Sequence, residues 1–501
     1  MGIVVRQSIK ATVVSYLGAL VGYINIMFIT PLCLSPEIIG FGKVFLDAAL
    51  MFTFVAQLGL NSALIRFFPY FRDEKNNHGI FGIILVVPLM GLVLLSALVG
   101  IFYNPIIGMF QANSALFADN FYYVLPLTFF MMYLVLFETF SSCLLRIVVP
   151  KLIREIGLRL LNIAVIVLFY LKVLDFKAYI ISIIVIYVIA TVLNLYYLKK
   201  ITNLSIKPDF SGIPKKVFRD LMFYIAFILF VGIGSNIVSK IDVFMISSSL
   251  NLSYAGIFSI AFYVTTIIEI PSKAFMQITN PIVAQAAKDN DFKKIGDLYT
   301  KSSINQYIVG GFILLLVWAN VDNIFKIMPN GELFQSGKYV ILLLGLGKIA
   351  DMVTGINLIV IANSRYYWYQ LIFTSYITAT TILLNYYLIP RFGINGAGMT
   401  SLIAMSTYNL LLLFFLKYKL SLWPFNIKTL TLTIFFLLLF AINYILPVLS
   451  NPILDGIYRS IILTAGFVLV IYKGNISDDF NNLISQISLE NIKKHIPTKI
   501  K

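Results

Sequence analysis

The chain has 501 residues, of which 59% are hydrophobic and only 12% charged, with a mean hydropathy of +0.91. That balance excludes an ordinary water-soluble domain. The formal net charge of +16 is dispersed between apolar runs, which argues against a nucleic-acid partner and for contacts with membrane lipids. Apolar runs of about 20 residues select helices over a barrel, so the expected class is an all-α polytopic membrane protein.

In chain order, fourteen runs are long enough to cross a hydrocarbon layer of about 30 Å. They lie near 12–34, 43–67, 79–102, 120–143, 156–173, 178–198, 221–249, 254–278, 303–320, 338–361, 366–389, 396–416, 428–447 and 458–472. The first follows Arg6 and Lys10, lacks a small-residue cleavage site and exceeds a signal-peptide core, so a retained helix is expected. An even number of spans puts both termini on one side. Most of the 38 Lys and Arg fall on that side, which the positive-inside rule makes cytoplasmic.

The segment 199–219, KKITNLSIKPDFSGIPKKVFR, divides the first twelve spans six and six. The expected organisation is a six-helix lobe over 1–198, a cytoplasmic linker over 199–220 and a second lobe over 221–416. Two extra helices over 417–472 and an amphipathic cytoplasmic tail over 473–501 follow, the tail entered through Ser477 as a candidate N-cap. An internal echo supports two lobes. Leu34 to Gly40 closes the first span and opens the second, and Leu250 to Gly256 does the same for the seventh and eighth.

Gly18 and Gly22 are expected to serve close helix packing, and Pro31, Pro88, Pro126 and Pro271 are kink candidates. Tyr366, Tyr367, Trp368 and Tyr369 suit an interfacial aromatic belt. Cys33 and Cys143 lie towards opposite faces, so no mutual disulfide is expected. The only histidines, His78 and His495, sit in connecting segments without a nucleophile pattern. There is no Walker-type loop and no metal-ligand spacing, and the extracytoplasmic connections are short. Neither an enzyme nor a bound cofactor is expected.

What remains is charge inside the apolar runs: Asp47, Glu138, Lys240, Asp242, Glu269, Lys348 and Asp351. A charge at the centre of a span costs at least about 2.5–3.5 kcal/mol, so each needs a partner or a water-filled cavity. Lys43 and Asp47, Glu269 and Lys273, and Lys348 and Asp351 have the spacing of same-face pairs. Lys240 and Asp242 are two apart and point in different directions. The partner of Lys240 must therefore come from another helix, with Asp47 and Glu269 the candidate acids, or from a substrate.

The run from Asp242 to Ile246 followed by Ala255 to Ala261 resembles the seventh and eighth helices of bacterial polysaccharide flippases of the O-antigen and capsule type. Ile270-Pro271, Gln277-Ile278 and Asn280-Pro281-Ile282 share the resemblance, as does Arg391 to Gly398 between the eleventh and twelfth helices. The resemblance extends to the wider superfamily of multidrug exporters and lipid II flippases. It implies two six-helix lobes around a central cavity plus two peripheral helices in the bacterial inner membrane. The implied activity is export of an oligosaccharide on polyprenyl diphosphate, beside polysaccharide assembly proteins. Lys240, Lys348, Arg66 and Arg146 could supply cations to the diphosphate. Asp47, Glu138, Asp242, Glu269 and Asp351 are left for ion coupling or ion pairs. Those acids also suit an ion-coupled exporter of cationic drugs. A non-transporting scaffold would leave the buried charges without purpose.

Overall fold

The computed structural model describes residues 3–72, 77–207, 215–474, 476–477 and 479–481. Among these the chain is helical, with no strand. Thirteen helices are long and apolar enough to cross a membrane. The early elements are α1 (Lys10–Cys33), α2 (Pro36–Ala56), α3 (Leu60–Phe71), α4 (Ile80–Ile101), α5 (Tyr103–Gln111) and α6 (Phe121–Cys143). The run read as the fifth span is a continuous helix over 148–170, α7, which contains one π turn, Ile153–Gly157. Its charges Lys151, Arg154, Glu155 and Arg159 separate it from the thirteen spans, whose apolar stretches carry fewer charges.

The chain continues through α8 (Phe176–Ile201), α9 (Lys215–Ser249), α10 (Leu252–Lys288), α11 (Phe292–Ala319), α12 (Val321–Ile327), α13 (Lys338–Val353) and α14 (Asn357–Ala362). It ends with α15 (Tyr369–Phe392), α16 (Ile394–Leu420), α17 (Ile427–Ile445) and α18 (Pro452–Lys473). The expected tail lies outside the described residues from 482 onward.

Two expected spans are interrupted. The run 43–67 breaks between α2 and α3, where Gly59 takes φ 73°. The run 338–361 breaks between α13 and α14, where Gly355 takes φ 69°. Both glycines occupy the left-handed region, which ends a helix regardless of hydrophobicity. By contrast, Pro88 and Pro271 lie inside α4 and α10, which continue through them.

By packing, the chain forms two compact units. The first comprises Met1–Ile260, Met328–Leu333 and Thr378–Ala397. Its core is aromatic, with Phe41 stacked on Phe45 and Phe81 on Phe137. The second comprises Ala261–Ile327, Phe334–Ile377 and Gly398–Lys501. There Tyr299, Ile356, Leu412 and Leu416 form one core. Leu432, Phe436, Leu463 and Phe467 of α17 and α18 pack on Tyr307, Ile308 and Leu315 of α11 in another.

Candidate functional site: two lysine-rich triads

In the first unit Asp47, only 2% exposed, is shared by two lysines. Lys43, one turn earlier on α2, lies 2.8 Å from Oδ2, and Lys240 reaches Oδ1 from α9 at 2.9 Å. Lys240 stands nine residues before the end of α9 and Asp47 eleven after the start of α2. At 1.5 Å per residue both are about 15 Å from the turn-bearing ends of their helices, close to mid-membrane. Asp242, two residues on, points elsewhere and accepts a hydrogen bond from Asn385 Nδ2 of α15 at 2.6 Å.

The second unit repeats the arrangement with different helices. Glu269 of α10 takes Lys273 at 2.8 Å, one turn later on its own helix, and Lys348 from α13. Lys348 is 8% exposed and also lies 5.0 Å from the centre of the Phe262 ring, a cation–π contact. The expected pairing of Lys348 with Asp351 does not form. The lysine turns to Glu269, while Asp351 accepts from Asn409 Nδ2 at 3.2 Å. Asn409 also accepts from Thr354 and Asn357, so amides and a hydroxyl satisfy the polar groups where α13 breaks.

The remaining candidates sit apart from the triads. Glu138 of α6 accepts from Arg154 at 2.9 Å, and Arg154 also reaches Glu155 at 3.2 Å. Glu155 in turn holds Arg159 at 2.8 Å, and Arg159 donates to the carbonyl of Gly18. Gly18 and Gly22 are pressed against this ladder. A Cβ at Gly18 would come within 2.8 Å of the Glu155 carbonyl oxygen, and one at Gly22 would overlap the Arg159 guanidinium. Arg66 is exposed and stacks over Tyr224 at 4.5 Å, and Arg146 is exposed just beyond the end of α6.

Arg154 and Arg159 are absent from the sequence-derived candidates, although Glu155 and Arg159 have pair spacing. So are Asp455 and Arg459 of α18, 2% and 6% exposed and joined at 2.7 Å. That acid four residues before a base was the available signal. Among the described residues no cluster of His, Cys, Asp and Glu has the makings of a metal site.

Each triad sets two ammonium groups against one carboxylate. A net positive charge is left over in the first, which suits a phosphate or carboxylate ligand better than a cation, while Asp351 beside Lys348 offsets the surplus in the second.

No family model matches the chain, and no curated relative does. Solved structures do match it. A lipid II flippase, MurJ, in an inward closed conformation aligns with TM-score 0.72 and 16% identity over 94% of this chain and 100% of its own. An inward-facing multidrug resistance transporter of the MATE family aligns with TM-score 0.58 and 13% identity, over 82% of this chain and 98% of its own. A MOP superfamily transporter from Pyrococcus furiosus, described as having reversed polarity in its binding pocket, aligns with TM-score 0.54 and 14% identity over 84% and 95%. The chain has the fold of the MOP transporters. It is a multi-pass membrane protein.

Proposed function

We propose that the protein is a flippase that moves a polyprenyl-diphosphate-linked oligosaccharide across the bacterial inner membrane, for cell-surface polysaccharides such as O-antigen or capsule. The observation that carries this reading is the cation surplus of the Lys43–Asp47–Lys240 triad. A carrier of cationic drugs gains from unpaired carboxylates, whereas a diphosphate needs ammonium or guanidinium groups. The fold supports transport as the task, since its solved neighbours are named as a flippase and transporters. The flippase alignment covers 94% of the chain and the multidrug one 82%.

In this reading Lys240 and Lys348 meet the diphosphate by leaving Asp47 and Glu269 in part, with Lys43 and Lys273 keeping those acids neutralised. Arg66 and Arg146 receive the headgroup at the cytoplasmic face. Asp242, Asp351 and Glu138 are the positions open to ion coupling. Both termini are cytoplasmic, and the lobes 1–198 and 221–416 alternate in exposing the site. Polysaccharide assembly proteins are the expected neighbours in the membrane.

The test is reconstitution in vesicles with a fluorescent polyprenyl-diphosphate saccharide, lipid II and a cationic dye offered separately. Movement of the saccharide lipid alone supports the proposal. Movement of lipid II alone assigns the chain to the neighbouring flippase task, and export of the dye alone overturns the anionic cargo.

A further inference from the structure

The echo between Leu34–Gly40 and Leu250–Gly256 extends into three dimensions. Leu34 N–H donates to Thr30 at 2.9 Å and Leu250 N–H donates to Ile246 at 2.8 Å, closing α1 and α9 in the same way. Ser35 Oγ then accepts from Ile38 N–H at 3.4 Å, and Asn251 Oδ1 from Tyr254 N–H at 3.0 Å, capping α2 and α10. Every one of these positions recurs 216 residues on (30 to 246, 34 to 250, 35 to 251, 38 to 254).

The repeated elements also grip each other, and the grips are reciprocal. A Cβ on Gly40 would overlap the carbonyl oxygen of Leu252, and a Cβ on Gly256 would overlap that of Pro36. Position 36 recurs as 252 and 40 as 256, so each glycine meets the other repeat's copy of its own partner. The same exchange occurs one layer away. Ser114 Oγ donates to the Ser247 carbonyl at 2.6 Å, and Asn330 Nδ2 donates to the Pro31 carbonyl at 2.9 Å. Again 114 recurs as 330 and 31 as 247. Both acceptors sit in the last turn of a helix, where carbonyls have no partner of their own.

Four contacts related by one sequence offset, each pair exchanging donor and acceptor repeats, define a local two-fold axis between Gly40 and Gly256. The charges do not follow it. At the same offset Asp47 falls on Tyr263, and Glu269 falls on Thr53. The symmetry therefore belongs to this end of the helices and not to the triads.

We infer that Gly40, Gly256, Ser114 and Asn330 form a two-fold latch. It ties the two repeats together on the face opposite the N-terminus and opens once in each transport cycle. The opening step rests on the transporter reading above. The contacts are suited to reversible parting: a backbone-to-backbone glycine seat and three hydrogen bonds, since Asn113 Nδ2 also donates to the Ser248 carbonyl at 2.6 Å, with the Phe110 and Phe244 rings edge to face beside them. A glycine seat closes fully only without a Cβ.

The test measures distance between spin labels at Leu32→Cys and Tyr254→Cys, both exposed positions beside the latch, with Cys33 and Cys143 replaced by serine. Purified protein in lipid nanodiscs is compared with Gly40→Ala, with Ser114→Ala and Asn330→Ala singly and together, and with Gly108→Ala. Gly108 has open space around its Cβ position and serves as the control. The expected result is a longer-distance population that rises roughly fivefold or more in the serine–asparagine double variant, as loss of two hydrogen bonds implies. The rise should be of similar size in the two singles and absent in Gly108→Ala. An unchanged distribution in the double variant and Gly40→Ala overturns the latch. So does a fall in melting temperature with no longer-distance population, or a response to only one of the two singles. No cargo is used, so a failure to move saccharide lipid would count against the proposed function and leave this measurement standing.

Discussion

Lys240 and Asp47 meet at 2.9 Å from different helices, on a carboxylate that Lys43 already holds at 2.8 Å. The pair is therefore unequal. Removing Lys240 leaves Asp47 neutralised by Lys43, whereas removing Asp47 strands two ammonium groups inside the first unit. Breaking a buried pair costs about 3–5 kcal/mol when a charge is left alone. Asp47→Ala should sharply reduce the amount of folded protein in the membrane, and Lys240→Ala should reduce it much less while abolishing export. Asp47→Ala combined with Lys240→Met should recover part of the lost abundance. Membrane levels by immunoblot and saccharide-lipid movement in vesicles read the two effects separately, and equal abundance of the two single variants would sink the argument.

Glu269 offers the same comparison with the two lysines differing in exposure. The Lys273 side chain is 73% exposed and that of Lys348 is 9% exposed. An exposed pair contributes about 0–1 kcal/mol, so Lys273→Ala should leave stability almost unchanged. Lys348→Met should lower the thermal midpoint in detergent clearly, and Lys348→Arg should retain part of both stability and transport, since charge survives in a different geometry. A larger loss from Lys273→Ala than from Lys348→Met would contradict the placement of these side chains.

Much of this was legible in the chain. Helix count and the need of Lys240 for a partner on another helix follow from hydropathy and from spacing of 3.6 residues per turn. Spacing identifies which side chains on one helix can touch, but not whether a neighbouring helix offers something closer. Lys348 and Asp351 show that limit, because Glu269 of α10 competes for the lysine and Asn409 of α16 for the acid. The breaks at Gly59 and Gly355 were hidden for another reason. Both lie in or beside apolar runs, and hydropathy records length without recording φ. The latch was visible only as two echoed turns, since Ser114 and Asn330 share position but neither residue type nor neighbours.

Asp351 is held by an amide, which an asparagine could replace at the same size. Asp351→Asn should therefore preserve folding, with a shift in thermal midpoint of no more than a few degrees. If Asp351 takes part in ion coupling, the variant should still bind cargo but lose its dependence on an imposed ion gradient. Gradient-driven movement at the wild-type rate would remove Asp351 from the coupling set and leave it a structural acceptor.

The last prediction concerns the C-terminal helix pair. Arg459 Nε donates to Asp455 at 2.7 Å, and its two terminal nitrogens donate to Asn443 and to the carbonyls of Leu446 and Pro447. Asp455 also accepts from Asn323 Nδ2 at 2.7 Å and from Leu449 N–H at 2.8 Å. One guanidinium thus ties the end of α17, the connecting turn and the start of α18 together, while Asn323 fastens them to α12. Arg459→Ala strands a buried carboxylate and leaves several carbonyls without donors, a loss of about 3–5 kcal/mol confined to this corner. Limited proteolysis should then cut between Ile445 and Pro452 well before any other site. Arg459→Lys should protect poorly, because an ammonium cannot span the acceptors that the planar fork reaches. Asp455→Asn should also loosen this corner, since its one amide oxygen can accept either from Asn323 and Arg459 or from Leu449 N–H, and its NH2 then faces the remaining donor. Uniform cleavage along the chain in Arg459→Ala, or none beyond wild type, would show that α17 and α18 are held by their apolar contacts with α11 alone.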